Sequence, residues 1–272
     1  MTTRATTATT TTTAATAATA ISATTTTVDG NDDGARATDW DADTRGLPPA
    51  PEVIQIEVGL LQNFCEILYC PETREAAVVD PAWEVDRLLR EADRLGVTIA
   101  KALITHGHHD HVEGVGALVA RTGATVVINA REIDRVRGAL AELGAAGADA
   151  AVIETIADRQ TVAIGRRGLR ALETRGHTVG GTCYLGDGYV ITGDVMFVGG
   201  CGRTDFPGGD TAEMWRSLQR LAALPEETRV YPGHNYGTTP TSTIGREIRE
   251  NPYLRCASFE EFRALRERKR KP

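Results

Sequence analysis

The sequence has few cysteines and no long apolar run. Its five cysteines are an odd number at irregular spacing, which argues against a disulfide framework and favours a reducing compartment. No apolar run approaches the roughly 18 residues that a membrane-spanning helix requires, and no signal-peptide core occurs. The net charge of −7 and the pI near 5.5 argue against a general attraction to nucleic acid. These absences predict a soluble, cytoplasmic protein with no membrane or nucleic-acid partner.

The start of the chain also lacks the apolar residues of a folding core. Residues 1–28 contain 15 Thr and 8 Ala but no Asp or Glu. Such a composition buries too little apolar surface to offset the entropy lost on ordering. We therefore predict a disordered tail and linker over residues 1–51 and one domain over residues 52–272. An organellar transit peptide is the alternative for the tail, although only Arg4 is basic before Arg36.

Apolar patterning in the rest of the chain alternates between strand and helix. A helix is predicted over residues 85–95, with Gly96 as its stop signal, and another from Asp210 or Thr211 to Leu224. Strands are predicted over residues 53–58, 64–69, 76–79, 99–104, 125–128, 161–164, 169–174, 182–185, 189–192 and 229–231. This order predicts a mixed α/β protein in which helices cover two sheets.

All six histidines lie in or beside Gly/Thr-rich loops that follow predicted strands. His106, His108, Asp110 and His111 offer four candidate metal ligands within six residues. Imidazole and carboxylate ligands suit zinc, manganese or iron. Structural zinc sites are closed and usually contain Cys ligands, whereas this set leaves room for water. The segment therefore predicts an open metal site with catalytic use, rather than a solvated loop or a metal-stabilised scaffold.

Three later strand ends offer further ligands. They are His177 in Gly176-His177-Thr178, Asp194 after Thr192-Gly193, and His234 after Tyr231-Pro232-Gly233. Each residue taken alone is more often a cap or a turn residue. They complete a site only if the two sheets bring their loops together.

The segment Thr105-His106-Gly107-His108-His109-Asp110-His111 resembles the signature of the metallo-β-lactamase superfamily. The three later motifs match the remaining motifs of that family in order. The resemblance implies an αββα four-layer sandwich with the metals at one edge of its two sheets. It implies two divalent metal ions, expected to be zinc, with iron or manganese as alternatives. It implies a first site of His106, His108 and His177, a second of Asp110, His111 and His234, and Asp194 as the bridge, with His109 not a ligand.

The stretch 199–206 resembles the glyoxalase II (hydroxyacylglutathione hydrolase) group, its shorter relatives and the persulfide dioxygenases. So do the segments 242–245 and 251–255. In glyoxalase II the basic residue after Gly-Cys-Gly contacts glutathione, which implies this role for Arg203. The basic C-terminal helix implies Arg266 and Lys269 as further substrate contacts, although the helical insert that normally precedes this helix is absent.

This resemblance leads us to expect hydrolysis of a glutathione-type thioester, such as S-lactoylglutathione, to a hydroxy acid and a thiol by a metal-bound hydroxide. Asp110 would bind metal and orient the nucleophile. Asp80 would support a ligand histidine or serve as a turn residue before Pro81. Cys183 and Cys201 are expected to be packed thiols rather than nucleophiles.

The alternative is an iron-dependent glutathione persulfide dioxygenase. Its single iron would be held by His106, His177 and Asp194, because two histidines and one carboxylate form the facial triad of non-haem iron oxygenases. These three residues belong to the larger ligand set, so the ligands alone do not decide between the two activities. The presence of the full set favours the two-metal hydrolase.

Overall fold

A computed structural model of the chain describes residues 40–141 and 151–270. The strands of the first sheet follow one another in chain order. They are β1 (Glu52–Val58), β2 (Asn63–Tyr69), β3 (Glu75–Val79), β4 (Thr98–Leu103), β5 (Thr125–Ile128) and β6 (Ile153–Thr155). The pairs β1–β2 and β2–β3 are antiparallel, whereas β3, β4, β5 and β6 run parallel. Parallel neighbours need crossover connections, and helices on one face of the sheet supply them.

The second sheet contains the other six strands, in the order β12-β11-β10-β9-β8-β7. They are β7 (Thr161–Ile164), β8 (Arg167–Glu173), β9 (Thr182–Gly186), β10 (Tyr189–Gly193), β11 (Arg229–Pro232) and β12 (Ser242–Thr243). Only β10 and β11 are parallel, so their C-terminal ends open at the same edge of the sheet.

Eight α-helices lie within the described residues, and two of their ends carry the predicted stop or cap residue. They are α1 (Trp40–Thr44), α2 (Val85–Leu95), α3 (His109–Val112), α4 (Val115–Thr122), α5 (Ile133–Ala141), α6 (Thr211–Ala222), α7 (Ile244–Glu250) and α8 (Phe259–Arg270). Gly96 ends α2 in the left-handed region, at φ 64°, and its N–H donates to the carbonyl group of Ala92. The side chain of Asp210 caps α6 by accepting from the N–H groups of Ala212 and Glu213.

Three apolar layers separate four layers of secondary structure. Between the sheets, Leu68 and Leu103 of the first pack in one cluster with Leu169 and Tyr184 of the second. The outer face of the first sheet is covered by α2, α4 and α5, and that of the second by α6, α7 and α8. Many strand residues are therefore buried on both faces, which explains the nearly continuous apolar runs in β2 and β10. The predicted αββα four-layer sandwich is confirmed.

The predicted domain starts at residue 52, but residues 40–51 also pack against the rest of the chain. Asp43 in α1 is only 2% exposed and pairs with Arg159 and Arg220. Arg170 donates to the carbonyl groups of Ala42, Asp43 and Arg45. Residues 40–51 are thus held by buried charge pairs, together with apolar contacts of Leu47 and Ala50. Residues 1–39 of the predicted tail lie outside the described residues.

The C-terminal helix α8 packs on α6, with Phe262 against Trp215. The side chain of Lys269 lies outside the described residues. No helix in the described ranges combines the length and the apolar character needed to cross a membrane.

Candidate metal centre

Four strand ends converge at one edge of the sandwich and carry the predicted ligands. The loop after β4 supplies His106, His108, Asp110 and His111, the last two in the short helix α3. The loops after β8, β10 and β11 supply the other three ligands: His177, Asp194 and His234. Loops held by a rigid sheet place side chains reproducibly. The seven residues predicted to bind metal are thus neighbours in space.

The first group of donor atoms belongs to His106, His108 and His177. One donor atom from each lies within 4.8 Å of the others. Nε2 of His106 is 3.1 Å from Nδ1 of His108. Nδ1 of His177 donates to the carbonyl oxygen of Arg203 at 2.7 Å. Because a carbonyl group only accepts, this bond fixes the tautomer and leaves the Nε2 lone pair of His177 for a cation.

The second group belongs to Asp110, His111 and His234, with donor atoms again within 4.8 Å of one another. Nε2 of His111 is 3.2 Å from Nε2 of His234, and Oδ2 of Asp110 is 3.4 Å from the latter atom. Asn63 donates to Asp110 Oδ2 at 3.2 Å, and the carbonyl oxygen of Leu61 accepts from Nδ1 of His234 at 2.9 Å. Asn63 and the Leu61 carbonyl group therefore orient two of the candidate ligands, Asp110 and His234.

Asp194 lies between the two groups. Its Oδ2 is 3.4 Å from Nε2 of His177. Its Oδ1 is 3.4 Å from Nε2 of His111 and 3.4 Å from Nε2 of His234. One carboxylate therefore faces both groups, as a bridging ligand must.

Two side-chain atoms of the candidate ligands are buried without a hydrogen-bond partner: Nε2 of His177 and Oδ1 of Asp194. Burying a polar atom without a partner costs free energy. Both atoms point at the space that the donor groups share, so a cation there would satisfy them. The residues present therefore fit a metal centre.

The electrostatics of the cluster also suit cation binding. Burial and the neighbouring His111 hold the pKa of His106 well below its usual range. Burial, with His177, lowers the pKa of His108 to about 4. Burial opposes a charge on Asp194, but His111 outweighs it and keeps the carboxyl pKa well below its usual range. Neutral His106 and His108 beside an ionised carboxylate are in the protonation states that metal ligation requires.

The second group differs in its protonation. Burial opposes a charge on its histidines, but Asp194 raises the pKa of His111 well above its usual range, and Asp110 raises the pKa of His234 to about 9. A cation that binds there must therefore displace protons from these two rings.

Asp80 supports the cluster from behind, as one of its two predicted roles required. Its Oδ1 accepts from the N–H of Thr105 at 2.7 Å, and its Oδ2 accepts from the Thr105 hydroxyl group at 2.5 Å and from Nδ1 of His111 at 2.9 Å. These three bonds use the carboxyl oxygens of Asp80. The residue therefore orients His111, one of the candidate ligands.

His109 differs from the other histidines of its loop. Its side chain is 74% exposed and pairs with Glu113 at 2.7 Å, away from the cluster. Cys183 and Cys201 are buried, and burial raises the pKa of Cys183 to about 12. Neither geometry nor ionisation suits Cys183 as a nucleophile.

The three predicted substrate contacts differ in their surroundings. Arg203 is 64% exposed, pairs with Asp205 at 2.9 Å and lies over the ring of Phe206. Arg266 is only 7% exposed, and its guanidinium donates to Cys201 Sγ at 3.2 Å. Arg266 therefore packs under the 199–206 loop, and its role as a substrate contact stays a prediction. The tertiary position of α8 buries it, and a basic helix pattern does not reveal that position. The Lys269 side chain is outside the described residues.

Two aromatic residues that were not predicted to belong to the site border the cluster. Tyr236 stacks on His234, with ring centroids 4.5 Å apart, and Phe206 contacts the rings of His108 and His177 edge-on. Both aromatic side chains are exposed although they are large and apolar. Phe206 is the last residue of the 199–206 stretch, and Tyr236 lies two residues after His234; these positions are the sequence signal that could have identified them.

This chain is similar to known proteins over residues of both sheets. The model of the Metallo-beta-lactamase superfamily matches residues 66–234, which include all seven candidate ligands. The chain is 33% identical over 225 residues to the probable polyketide biosynthesis zinc-dependent hydrolase BaeB of Bacillus velezensis, covering 80% of this chain and 94% of that protein. It is 34% identical over 212 residues to the hydroxyacylglutathione hydrolase of Rhodospirillum rubrum, covering 77% and 76%. The solved structure of ETHE1 from Myxococcus xanthus matches with a TM-score of 0.71 and 34% identity, covering 81% and 92%.

Proposed function

The chain belongs to the metallo-β-lactamase superfamily, and from that premise we propose that it hydrolyses glutathione-type thioesters, such as S-lactoylglutathione, with two divalent metal ions. The observation that carries the proposal is the position of Asp194 between two complete donor groups. A single-metal enzyme would need only one of these groups. The likeness to a hydroxyacylglutathione hydrolase supports the substrate class.

The proposed first ion is held by His106, His108 and His177, and the second by Asp110, His111 and His234. Asp194 is the shared ligand. Zinc is the proposed metal, because these nitrogen and oxygen ligands suit it and because the name of the Bacillus velezensis relative includes zinc. When bound, such ions lower the pKa of a coordinated water and polarise a carbonyl group.

The chain's own residues supply orientation. Asp110 is held by Asn63, so its carboxylate is fixed to accept a hydrogen bond from the attacking water. His177 is fixed by the Arg203 carbonyl group and His111 by Asp80, so the ligands do not reorganise during the reaction. A thiolate leaves readily, which agrees with the lack of a dedicated general acid among these residues.

Arg203 is the proposed contact for the glycine carboxylate of glutathione. Its side chain is exposed at the rim of the site, one residue after the Gly-Cys-Gly stretch that packs on His177. The pairing with Asp205 holds the guanidinium in place over Phe206. Phe206 in turn lies against the ligand histidines, which links the substrate contact to the metal centre.

A glutathione persulfide dioxygenase with one iron on His106, His177 and Asp194 is the second candidate. The observation in its favour is that these three side chains are adjacent, with the rings of His106 and His177 4.8 Å apart and Asp194 next to His177. A one-iron enzyme, however, would have no catalytic use for the second donor group.

Metal counting and two assays on one preparation test the proposal. The protein is purified aerobically and anaerobically, its metals are counted, and thioester cleavage and oxygen uptake on glutathione persulfide are measured. Two equivalents of metal with thioester cleavage are expected. One equivalent of iron with oxygen uptake would overturn the proposal. His234→Ala sharpens the test, because it should abolish thioester hydrolysis but leave a one-iron dioxygenase active, whereas Asp194→Ala should abolish both.

A further inference from the structure

Glu132 is a buried carboxyl group that the proposed reaction does not use. Its side chain is 1% exposed, and it ends the 3-10 turn Ala130–Glu132 between β5 and α5. Nε of Arg135 lies 4.0 Å from its Oε2, too far for a hydrogen bond. A buried carboxyl group costs free energy unless its oxygens accept hydrogen bonds. The partners of Glu132 therefore indicate its role.

Each carboxyl oxygen of Glu132 accepts from the backbone of a different ligand loop. Oε2 accepts from the N–H of Gly107 at 3.2 Å, and Oε1 accepts from the N–H of Gly180 at 2.7 Å. Gly107 lies between two ligand histidines of the first donor group, and Gly180 lies three residues after the third. One side chain thus links the two loops from which the first metal site is built.

The two glycines allow this close approach. A Cβ added to Gly107 would lie 3.0 Å from Oε2 of Glu132 and 2.6 Å from Cδ of Arg135. A Cβ added to Gly180 would lie 2.9 Å from Cγ of Glu132 and 3.0 Å from Oδ1 of Asn129. A larger residue at either position would separate the loop from the carboxyl group. Close packing against Glu132 therefore explains why each of these two positions is a glycine.

Glu132 itself is fixed from both sheets. Asn129, directly after β5 of the first sheet, starts the turn by accepting from the N–H of Arg131 at 3.0 Å. The Asn129 amide donates to Glu173 Oε2 at 3.0 Å, and Glu173 is the last residue of β8 in the second sheet. The carboxyl group therefore lies at a defined place between the two sheets.

We propose that Glu132 is a positioning residue that holds the loops of residues 105–108 and 176–180 at the separation that the first metal site requires. It acts through the backbone of these loops and touches neither metal nor substrate. The inference rests on the metal centre of the proposed function. Its specific consequence is that loss of Glu132 weakens the first site while the second, which neither hydrogen bond reaches, keeps its affinity.

Glu132→Gln tests the inference with little change in side-chain volume. The amide keeps one acceptor but presents an N–H group to the other backbone N–H, so one of the two links is lost. Cobalt(II) is titrated into the metal-free full-length protein in competition with a chelator, and its visible spectrum reports the coordination geometry. We expect one of the two affinities to fall about 10- to 100-fold, the effect typical of residues that orient metal ligands, and the other to remain unchanged.

Asp43→Asn is the matched control. Asp43 is also buried and accepts from Arg159 and Arg220 at 2.8 Å, and neither partner lies in a loop that carries a proposed ligand. Both variants should lower the melting temperature of the metal-free protein, and only Glu132→Gln should weaken cobalt binding. Wild-type affinity at both sites in Glu132→Gln, or equal weakening in both variants, would overturn the inference.

Amide hydrogen exchange of the wild-type protein provides a test even if Glu132→Gln fails to fold. The N–H groups of Gly107 and Gly180 should exchange slowly in the metal-free protein, because a buried carboxyl group accepts from them before any metal binds. Exchange at the rate of an open loop would contradict the inference. If the wild-type protein binds no cobalt at all, the proposed function fails instead, so the two failures are distinguishable.

Discussion

Gly202 packs so closely against Asp194 that no side chain fits between them. A Cβ added at Gly202 would lie 2.0 Å from the carbonyl oxygen of Asp194 and 3.0 Å from Nδ1 of His177. The backbone of Asp194 and the ring of His177 are therefore both packed against the backbone of one loop. The second glycine of the Gly-Cys-Gly stretch is required by this contact.

Gly202→Ala should displace Asp194 and His177 together. The added methyl group forces a backbone shift, and overpacking of this kind costs about 1–3 kcal/mol of stability. Because a misplacement near 1 Å in a catalytic site costs about 100-fold in rate, we expect at least that loss in kcat/KM, with reduced metal content after dialysis. Metal analysis and steady-state kinetics on the purified variant check both effects.

Gly138→Ala is the control for this substitution. Gly138 lies inside α5, where an added Cβ meets nothing within 4 Å. Activity should be unchanged, and the higher helix propensity of Ala should raise stability by up to about 1 kcal/mol. Full metal content and activity in Gly202→Ala would show that the close contact does not constrain the site.

Asp80→Asn should weaken the second donor group. Asp80 has φ 44°, in the left-handed region that Asn tolerates well, so the exchange does not strain the backbone. An amide cannot accept from all three donors that Asp80 serves, and an N–H facing Nδ1 of His111 would favour the tautomer with a protonated Nε2. We expect about a 10- to 100-fold loss of metal affinity at one site, measured by cobalt titration.

The exposed Asp93→Asn in α2 provides the comparison for that experiment and should bind both ions normally. If Asp80→Asn also binds two ions with wild-type affinity, the hydrogen bond to His111 does not tune the ligand.

The candidate ligands that the structure brings together could be predicted from the sequence, because each belongs to a short motif directly after a strand. His106 and Asp194 needed only local pattern and the strand order to be found. Asn63, the Leu61 carbonyl group and Glu132 are different, because their roles arise from hydrogen bonds to residues far along the chain. Such partners are fixed by tertiary packing, which one sequence does not display.

The ordered segment before residue 52 and the burial of Arg266 could not be predicted for the same reason. Asp43 meets Arg220, 177 residues away, and nothing local distinguishes this charge from a solvated one. The strands β6 and β12 are three and two residues long, too short to show an alternating pattern. The periodicity of apolar residues therefore predicted the layers of the sandwich, but not the contacts made by residues at the edges of those layers.

Glu66→Gln should remove a pH dependence of stability. Burial, with a contribution from Asp80, raises the pKa of Glu66 to about 8. The unfolded carboxyl group releases its proton near pH 4.3, so between that pH and about 8 the folded state holds the extra proton and loses stability as pH rises. At about 1.4 kcal/mol per pH unit, the variant should gain on the order of 3–5 kcal/mol relative to the wild type across this range. Urea unfolding of the metal-free proteins near both ends of the range measures the difference, and parallel pH profiles would refute it.

Asp43, within residues 40–51, offers a test in which stability changes with pH in the opposite direction. Asp43 accepts from Arg159 and from two nitrogens of Arg220 at 2.7–2.8 Å. Burial alone would raise its pKa, but the bonds from Arg220 and Arg159 outweigh it and hold the carboxyl pKa below its ordinary value. The stability that Asp43 contributes is therefore present at neutral pH and lost as the pH falls through its folded-state pKa.

Asp43→Asn should lower the free energy of unfolding by about 3 kcal/mol near neutral pH, the lower end of the range for breaking a buried ion pair. The lower end applies because Arg220 keeps its partner Asp158 at 2.7 Å. The difference from the wild type should shrink once the pH is below about 4, where the unfolded carboxyl group is protonated.

Asp158→Asn is the control, because it removes a more exposed pair and should cost about 1 kcal/mol or less. Denaturant unfolding of the three metal-free proteins at both pH values measures these differences. If Asp43→Asn is as stable as the wild type at neutral pH, the charge pairs do not anchor residues 40–51. Apolar contacts must then hold that segment, those of Leu47 with the outer cluster of the second sheet and those of Ala50 with the cluster between the sheets.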